Sequence, residues 1–304
     1  MVAVSREPSH AQFDRPAPTD RVRARDGIEL VVECRGGADA PPVVFAHGFG
    51  QTRHAWSDTA SSLAATGWRC ITADARGHGD SGWRDDGNYD FGQFIDDLVM
   101  ITRWSTASPA PAKPVLVGAS MGGLLGIMAQ ARHDAFRALI LVDITPRWEN
   151  AGVERIIAFM RAHPDGFASL DDAADAIARY LPHRGRRKSP ESLRQLLVPL
   201  DNGCLRWHWD PRLLERVADG SEREQAALLE AARAIRVPTL LISGARSDVV
   251  SAATIAEFLD CVPHARHVRV AQATHMVAGD RNDAFAAAVH DFIEPLRSRA
   301  GAQE

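Results

Sequence analysis

Short runs of consecutive apolar residues alternate with segments in which apolar positions recur every three or four residues. Between residues 28 and 143 the apolar runs are IELVVEC, VVFA, RCITA, VLV and ALILV. The segments between them, including 54–65 and 91–102, have the spacing of amphipathic helices. Strands that are apolar throughout are typical of parallel sheets covered by helices on both faces. The pattern therefore predicts an α/β fold for this part of the chain.

The pattern changes after Pro146. From 147 to 234 we find helical periodicity and no convincing strand, and the alternation then resumes with PTLLIS at 238–243, a helix, a strand at 267–271 and a final helix near 283–296. We therefore predict a core formed by residues 22–146 and 235–298. A helical insertion is predicted at 147–234, and a tail at 1–21, where three prolines disfavour a helix.

Composition and charge exclude several classes of protein. The chain has 304 residues, 45% of them hydrophobic, and a formal net charge of -4, as in ordinary globular proteins. Its apolar runs are too short for a membrane span and its first residues lack a secretory signal, so we expect no membrane partner and a cytoplasmic location. The basic cluster HRGRRKS at 183–189 is expected to be a solvated loop, and no nucleic-acid partner is expected. The four cysteines are widely spaced, which favours reduced thiols and no metal site.

A serine lies among glycines directly after the apolar run VLV, in Gly118-Ala119-Ser120-Met121-Gly122. G-x-S-x-G between a strand and a helix is the pattern of a nucleophile elbow, a sharp turn that exposes the serine hydroxyl. The turn lies at the carboxyl edge of the sheet, where open α/β sheets bind ligands. The motif alone also occurs by chance in unrelated chains, so a nucleophile is indicated only if a suitable base and acid accompany it.

A serine hydroxyl needs a base to take its proton, and the base needs a carboxylate to orient it. His275 follows the last predicted strand, and Asp248 lies in the loop after PTLLIS. Both fit the order serine, acid, histidine, so we predict His275 as the general base and Asp248 as the acid. Asp143, which ends LILVD, reaches the same edge and is the alternative acid; otherwise it caps the segment that enters the insertion.

Two backbone N–H groups are candidates for stabilising an oxyanion. One is that of Met121, directly after the serine, and the other is that of Phe49 in the glycine-rich loop HGFG. The later loop ADARGHGDSG has another expected role, in which Asp74, Arg76 and His78 hold the loops of this edge together.

These motifs together resemble the α/β-hydrolase superfamily. HGFG, DARGHGDS, GASMGG, LLISGARSD and ATH stand in the family's order over about 28–145 and 236–298. The resemblance implies a mostly parallel eight-stranded sheet with helices on both faces, a helical cap inserted after the sixth strand, a triad of Ser120, Asp248 and His275, and no cofactor.

The nucleophile narrows the reaction. Members of this superfamily that open carbon–halogen bonds or epoxides use an aspartate nucleophile, and the residue here is Ser120. We predict hydrolysis of a carboxylic ester of a small to medium apolar substrate through an acyl-enzyme on Ser120. An enol-lactonase, a carbon–carbon bond hydrolase of ring-cleavage products, and a cofactor-free haloperoxidase or perhydrolase remain alternatives. A non-enzymatic binding protein of the same fold is disfavoured because all three triad candidates are present.

Four further residues are candidates for contact with a small-molecule substrate. Trp148, Trp207 and Trp209 in the insertion are predicted to line an apolar pocket over the serine, unless they only pack the insertion onto the core. Arg53, near HGFG, is the candidate cation for a substrate carboxylate. We expect a monomer or a homodimer.

Overall fold

The computed structural model describes residues 18–106, 113–182, 189–217, 222–280 and 282–297. Ten strands lie in this part of the chain: β1 (Thr19–Arg23), β2 (Glu29–Arg35), β3 (Pro42–Ala46), β4 (Arg69–Ala73), β5 (Val115–Ala119), β6 (Ala138–Val142), β7 (Leu197–Pro199), β8 (Leu205–Trp207), β9 (Thr239–Gly244) and β10 (Arg266–Val270). Eight of them form one sheet in the order β1-β2-β4-β3-β5-β6-β9-β10. Strand β2 pairs antiparallel with both neighbours, and every other pair is parallel. The predicted mostly parallel eight-stranded sheet is confirmed.

Helices cover both faces of this sheet, and further helices lie in the insertion. The described helices are α1 (Ser57–Ala65), α2 (Phe91–Ser105), α3 (Met121–His133), α4 (Asn150–Arg161), α5 (Leu170–Tyr180), α6 (Leu213–Val217), α7 (Glu222–Arg233), α8 (Ala252–Cys261), α9 (Val277–Asp280) and α10 (Asn282–Arg297). Short 3-10 helices lie at Arg53–Trp56 and Pro190–Leu196. Apolar side chains of α2, α3, α7 and α8 pack in one cluster, and those of α1 and α10 pack in a second.

The central strands are apolar throughout because both of their faces are buried. In β5, Leu116 packs into the first cluster, whereas Val115 and Val117 pack into the second. Successive strand residues point to opposite faces, so an uninterrupted apolar run supplies both layers of the core. The same parallel arrangement brings the carboxyl ends of β3, β4, β5, β6 and β9 to one edge, where the loops that follow them meet.

The first strand begins inside the predicted tail. Thr19–Arg23 forms β1, with Thr19 opposite Glu33 and Arg23 opposite Glu29 of β2. Only Val22 of this edge strand is buried, so the apolar signal of a central strand is missing. The prediction of a tail at 1–21 is therefore wrong for residues 19–21, and residues 1–17 lie outside the described part.

The insertion also differs from the prediction. It contains a two-stranded antiparallel hairpin, β7 and β8, whose strands are too short to show a period of two. Helix α7, predicted as part of the insertion, packs against α3 and α8, and its Leu228 and Leu229 belong to the core cluster. The segment that covers the edge of the sheet is therefore α4, α5, α6 and the hairpin, which we call the covering segment (147–217). Of the basic cluster at 183–189, all but Ser189 lies outside the described residues.

Membrane-spanning helices and metal sites can be assessed for the described residues. No helix there combines the length and the apolar character that crossing a bilayer requires. No group of three or more histidine, cysteine or acidic side chains is arranged there to hold a metal ion.

Candidate active site

Ser120 stands alone between β5, which ends at Ala119, and α3, which begins at Met121. Its backbone has φ 46° and ψ -117°, a conformation that a residue with a side chain adopts only under strain. The two motif glycines make this turn possible. A Cβ on Gly118 would lie 2.6 Å from the Gly122 carbonyl oxygen, and one on Gly122 would lie 2.3 Å from the Ala46 carbonyl oxygen. The strand–turn–helix setting predicted for the motif is therefore present.

His275 lies in the loop after β10, and its ring is held by Asp143 at the end of β6. The His275 Nδ1 to Asp143 Oδ2 distance is 2.8 Å. Asp143 is fully buried and also accepts hydrogen bonds from the Gly244 N–H at 2.7 Å and the Ser247 hydroxyl at 2.5 Å. Its φ of 49° turns the backbone sharply where the strand ends. This pairing places a proton on Nδ1 and leaves Nε2 as the ring nitrogen available for a hydroxyl.

The prediction that Asp248 orients His275 is therefore wrong, and the alternative, Asp143, occupies that place. The Asp248 carboxylate instead pairs with Arg155 of α4 at 2.5 Å. The Asp248 backbone lies directly against α4, since a Cβ on Gly152 would come within 2.1 Å of its carbonyl oxygen. The loop after β9 still contributes to the site, because its Ser247 hydroxyl holds the Asp143 carboxylate.

Ser120 and His275 line the same cavity of about 420 Å³, which lies between the edge of the sheet and the covering segment. No direct hydrogen bond joins the two side chains in the part of the chain described here. The loop that carries His275 is fixed by Thr274, whose N–H and hydroxyl both donate to the Asp280 carboxylate, at 2.9 and 2.5 Å.

Phe49 also lines this cavity, next to Gly48. A Cβ on Gly48 would lie 3.3 Å from Ser120 Cβ, so the loop after β3 passes directly over the serine. The Met121 N–H is the first of α3 and therefore lacks a carbonyl partner from its own helix. The Met121 side chain packs against the core, so only its backbone is a candidate for contact with substrate.

The wall of the cavity is largely apolar on the side of the covering segment. Trp207 and Trp209 line it, as predicted, together with side chains of α4, α5 and the second 3-10 helix: Ile156, Phe159, Met160, Ile177 and Leu196. Trp148 does not line it and packs against the first core cluster instead. The prediction for Trp148 is therefore wrong, because residue 148 precedes α4, the first helix of the covering segment, and lies against the core.

Arg53 does not line the cavity either, which corrects its assignment as a substrate cation. Its side chain is buried and forms ion pairs with Asp74 and, at 2.7 Å, with Asp80. Asp74 is fully buried and also accepts hydrogen bonds from the Arg53 and Asp80 N–H groups. Arg53 therefore neutralises a buried carboxylate beneath the loop after β4, and this agrees with the prediction that Asp74 holds loops together.

Comparison with known proteins agrees with this architecture. Residues 41–281 match the family model described as the alpha/beta hydrolase fold. The chain belongs to this family. It is 30% identical over 268 residues to the esterase Rv0045c of Mycobacterium tuberculosis, covering 86% of this chain and 85% of the relative. It is 31% identical over 270 residues to the 3-hydroxybutyrate-oligomer hydrolase of Cupriavidus necator, covering 82% and 88%. A solved structure of E-2-(acetamidomethylene)succinate hydrolase superposes with a TM-score of 0.78 at 24% identity, covering 91% of this chain and 99% of that one.

Three polar residues that the sequence analysis did not select also line the cavity of this α/β hydrolase. Gln51 accepts a hydrogen bond from the Gly48 N–H at 3.2 Å and contacts Met276 Sδ at 3.4 Å, so it connects the loop after β3 with the loop of His275. Arg155 and Tyr180 lie together on the covering segment, with the guanidinium 5.8 Å from the ring centre. Neither belongs to a motif, and only the fold of the covering segment brings them to the site.

Proposed function

We propose that this α/β hydrolase cleaves carboxylic esters through a covalent acyl-enzyme on Ser120. The observation that carries the proposal is the His275–Asp143 hydrogen bond in a cavity that also contains the strained Ser120. In the reaction, Ser120 Oγ attacks the ester carbonyl carbon and His275 Nε2 takes the hydroxyl proton. Asp143, which is buried and holds Nδ1, stabilises the imidazolium that forms.

The remaining steps balance without a cofactor. The negative charge on the former carbonyl oxygen is stabilised by the N–H groups of Phe49 and Met121. The tetrahedral intermediate then expels the alcohol, which receives the proton from His275. A water molecule gives a proton to His275 and attacks the acyl carbon, and the second intermediate releases the carboxylic acid and returns the proton to Ser120.

The cavity supports an ester with a small to medium apolar group. A volume of about 420 Å³ falls in the range of small-molecule sites, and the covering segment contributes mainly aliphatic and aromatic side chains. The relative named as an esterase supports an ester as the substrate class, and the relative named as a 3-hydroxybutyrate-oligomer hydrolase supports hydrolysis. The carbon–carbon hydrolase alternative loses its main support, because Arg53 is engaged by Asp74 and Asp80 outside the cavity.

The test is hydrolysis of p-nitrophenyl acetate by the wild type and by Ser120→Ala. We expect the substitution to lower kcat at least about a thousandfold, as the removal of a triad nucleophile does elsewhere. Ser61→Ala, which removes a hydroxyl that donates to the Ser57 carbonyl on α1, away from the residues that line the cavity, is the matched control and should retain full activity. Mass spectrometry of rapidly quenched enzyme should locate the acetyl group on Ser120. Equal rates for the wild type and Ser120→Ala, or acetylation at another residue, would refute the mechanism.

A further inference from the structure

Two buried histidines connect the loop after β3 with the loop after β4. His47 receives a hydrogen bond on Nε2 from the Ala75 N–H at 2.9 Å. In the opposite direction, His78 receives one on Nε2 from the Gly50 N–H at 3.1 Å. Each loop therefore sends one imidazole to the backbone of the other, and the ring centres lie 5.1 Å apart.

These contacts fix the tautomer of both rings. Because a backbone N–H donates to Nε2, that nitrogen is unprotonated and the proton is on Nδ1. His47 Nδ1 donates to the Gly48 carbonyl at 2.8 Å, and His78 Nδ1 donates to the Arg76 carbonyl at 3.0 Å. Burial lowers the pKa of His47, and it lowers the pKa of His78 to about 3. Both rings are therefore neutral at pH 7, and each uses both of its nitrogens.

The consequence lies in the two peptide groups that flank Phe49. A trans peptide is planar, so its C=O and N–H point in opposite directions. The Gly48 carbonyl is held by His47 Nδ1–H and by the Gln51 N–H at 3.1 Å, which turns the Phe49 N–H away from both. The next peptide is held through the Gly50 N–H by His78. No acceptor for the Phe49 N–H is assigned within the described ranges, and Gly48 lies against Ser120.

We propose that His47 and His78 are positioning residues that hold the Phe49 N–H at the oxyanion, with the loop after β4 as their support. The proposal rests on the proposed function, since it concerns the intermediate formed on Ser120. Neither ring exchanges a proton during the reaction. Their role is to prevent rotation of the Gly48–Phe49 peptide, which would present a carbonyl oxygen to the developing negative charge.

Substitution of each histidine by asparagine or by glutamine tests its two ring nitrogens separately. The asparagine amide reaches about as far as Nδ1, and the glutamine amide reaches about as far as Nε2. At position 47 the contact that orients the peptide is made by Nδ1, so His47→Asn should retain function better than His47→Gln. At position 78 the orienting contact is made by Nε2, so His78→Gln should retain function better than His78→Asn.

The experiment measures kcat and KM for p-nitrophenyl acetate with all four variants, alongside melting temperature. We expect His47→Gln and His78→Asn to lose about a hundredfold in kcat, the effect of removing one oxyanion donor, with KM changed less than about threefold. His47→Asn and His78→Gln should remain within about tenfold of the wild type. A purely structural role would give the same order of asparagine and glutamine at both positions, or lower melting temperatures with kcat unchanged. Either result would overturn the proposal.

Labelling of Ser120 by a fluorophosphonate, followed by mass spectrometry, separates this proposal from the proposed function. If the wild type is labelled and active while all four variants match it, only the role of the histidines is refuted. If the wild type is neither labelled nor active, the acyl-enzyme mechanism fails and the role of the histidines fails with it. Should one variant at position 47 not fold, the pair at position 78 decides, and the reverse holds as well.

Discussion

Replacing Asp143 by asparagine exchanges one oxygen of a fully buried carboxylate for an NH₂ group and leaves the shape of the side chain unchanged. The carboxylate now accepts three hydrogen bonds, from the Gly244 N–H, the Ser247 hydroxyl and His275 Nδ1. The amide oxygen of Asp143→Asn can keep the bond to the Gly244 N–H. The NH₂ group then faces His275 Nδ1, which must become an acceptor. The ring proton moves to Nε2, and His275 can no longer take the proton of Ser120.

The size of the effect follows from this change of tautomer. Substitution of the triad aspartate by asparagine in a serine protease lowers kcat about 10⁴-fold for the same reason. We expect a loss of about 10³- to 10⁴-fold here, which corresponds to about 4 to 5.5 kcal/mol of transition-state stabilisation. Asp248→Asn is the matched control, since it makes the same chemical change one loop away. It weakens only a partly exposed ion pair with Arg155, worth at most about 1 kcal/mol, so kcat should stay within about fivefold.

The assay is the burst of p-nitrophenol from p-nitrophenyl acetate in stopped flow, which reports acylation directly. Melting temperature and circular dichroism establish that each variant is folded, so that a loss of rate is not a loss of structure. A thousandfold loss in Asp248→Asn with near-normal acylation in Asp143→Asn would return the acid to Asp248. Equal losses in both variants would show that neither carboxylate acts through His275 alone.

Three further predictions concern Arg53, the cavity wall and His78. Arg53→Ala should lower the free energy of unfolding by about 3 to 5 kcal/mol, because it leaves a buried carboxylate unpaired, and denaturant titration measures this. Arg147→Ala, which removes an exposed ion pair, should cost less than about 1 kcal/mol, and similar values for both would contradict the burial argument. Trp207→Ala should raise KM for p-nitrophenyl hexanoate about tenfold, because the substrate loses its contact with one aromatic side chain of the cavity wall. Trp148→Ala should leave KM unchanged, since Trp148 packs against the core. A larger effect of Trp148→Ala would show that Trp148 contacts the substrate. Burial lowers the pKa of His78 in the folded protein to about 3, whereas an exposed histidine has a pKa of roughly 6.5. Between these two pH values the unfolded chain binds one more proton than the folded chain. The free energy of unfolding therefore falls as the pH drops from about 6.5 towards about 3. Between pH 7.5 and 5 the wild type should lose about 2 kcal/mol more than His78→Gln in denaturant titrations, and parallel curves would refute a neutral buried ring.

Much of the sheet could be predicted because its central strands are buried on both faces. β3, β4, β5 and β6 are short, mainly apolar runs, and their alternation with helical segments indicates a parallel sheet buried on both faces. Ser120 was identified because its turn imposes steric demands that only glycine at 118 and 122 satisfies. These features depend on local geometry and burial, and both restrict which residue types can occupy the positions involved.

The parts that were missed depend on partners distant in the chain. β1 is an edge strand whose order comes from pairing with β2, and Arg53 is drawn under the loop after β4 by Asp74, 21 residues away. The side of a helix or loop on which Trp148 lies depends on how the covering segment leaves the sheet. None of these features has a spacing or composition of its own that a single sequence could reveal.

Either of two neighbouring strands, β6 or β9, could supply the carboxylate that orients His275. β6 and β9 are adjacent and parallel, with Val142 opposite Ile242, so both strand ends can present a carboxylate to the same histidine. Asp143 is nearer the end of its strand, and its φ of 49° bends the chain there. The last residue of β9, Gly244, and Ser247 in the loop after it then supply hydrogen-bond donors to Asp143 in place of the acid. Asp248 is left to pair with Arg155 of α4, so the loop that fixes Asp143 also contacts the covering segment.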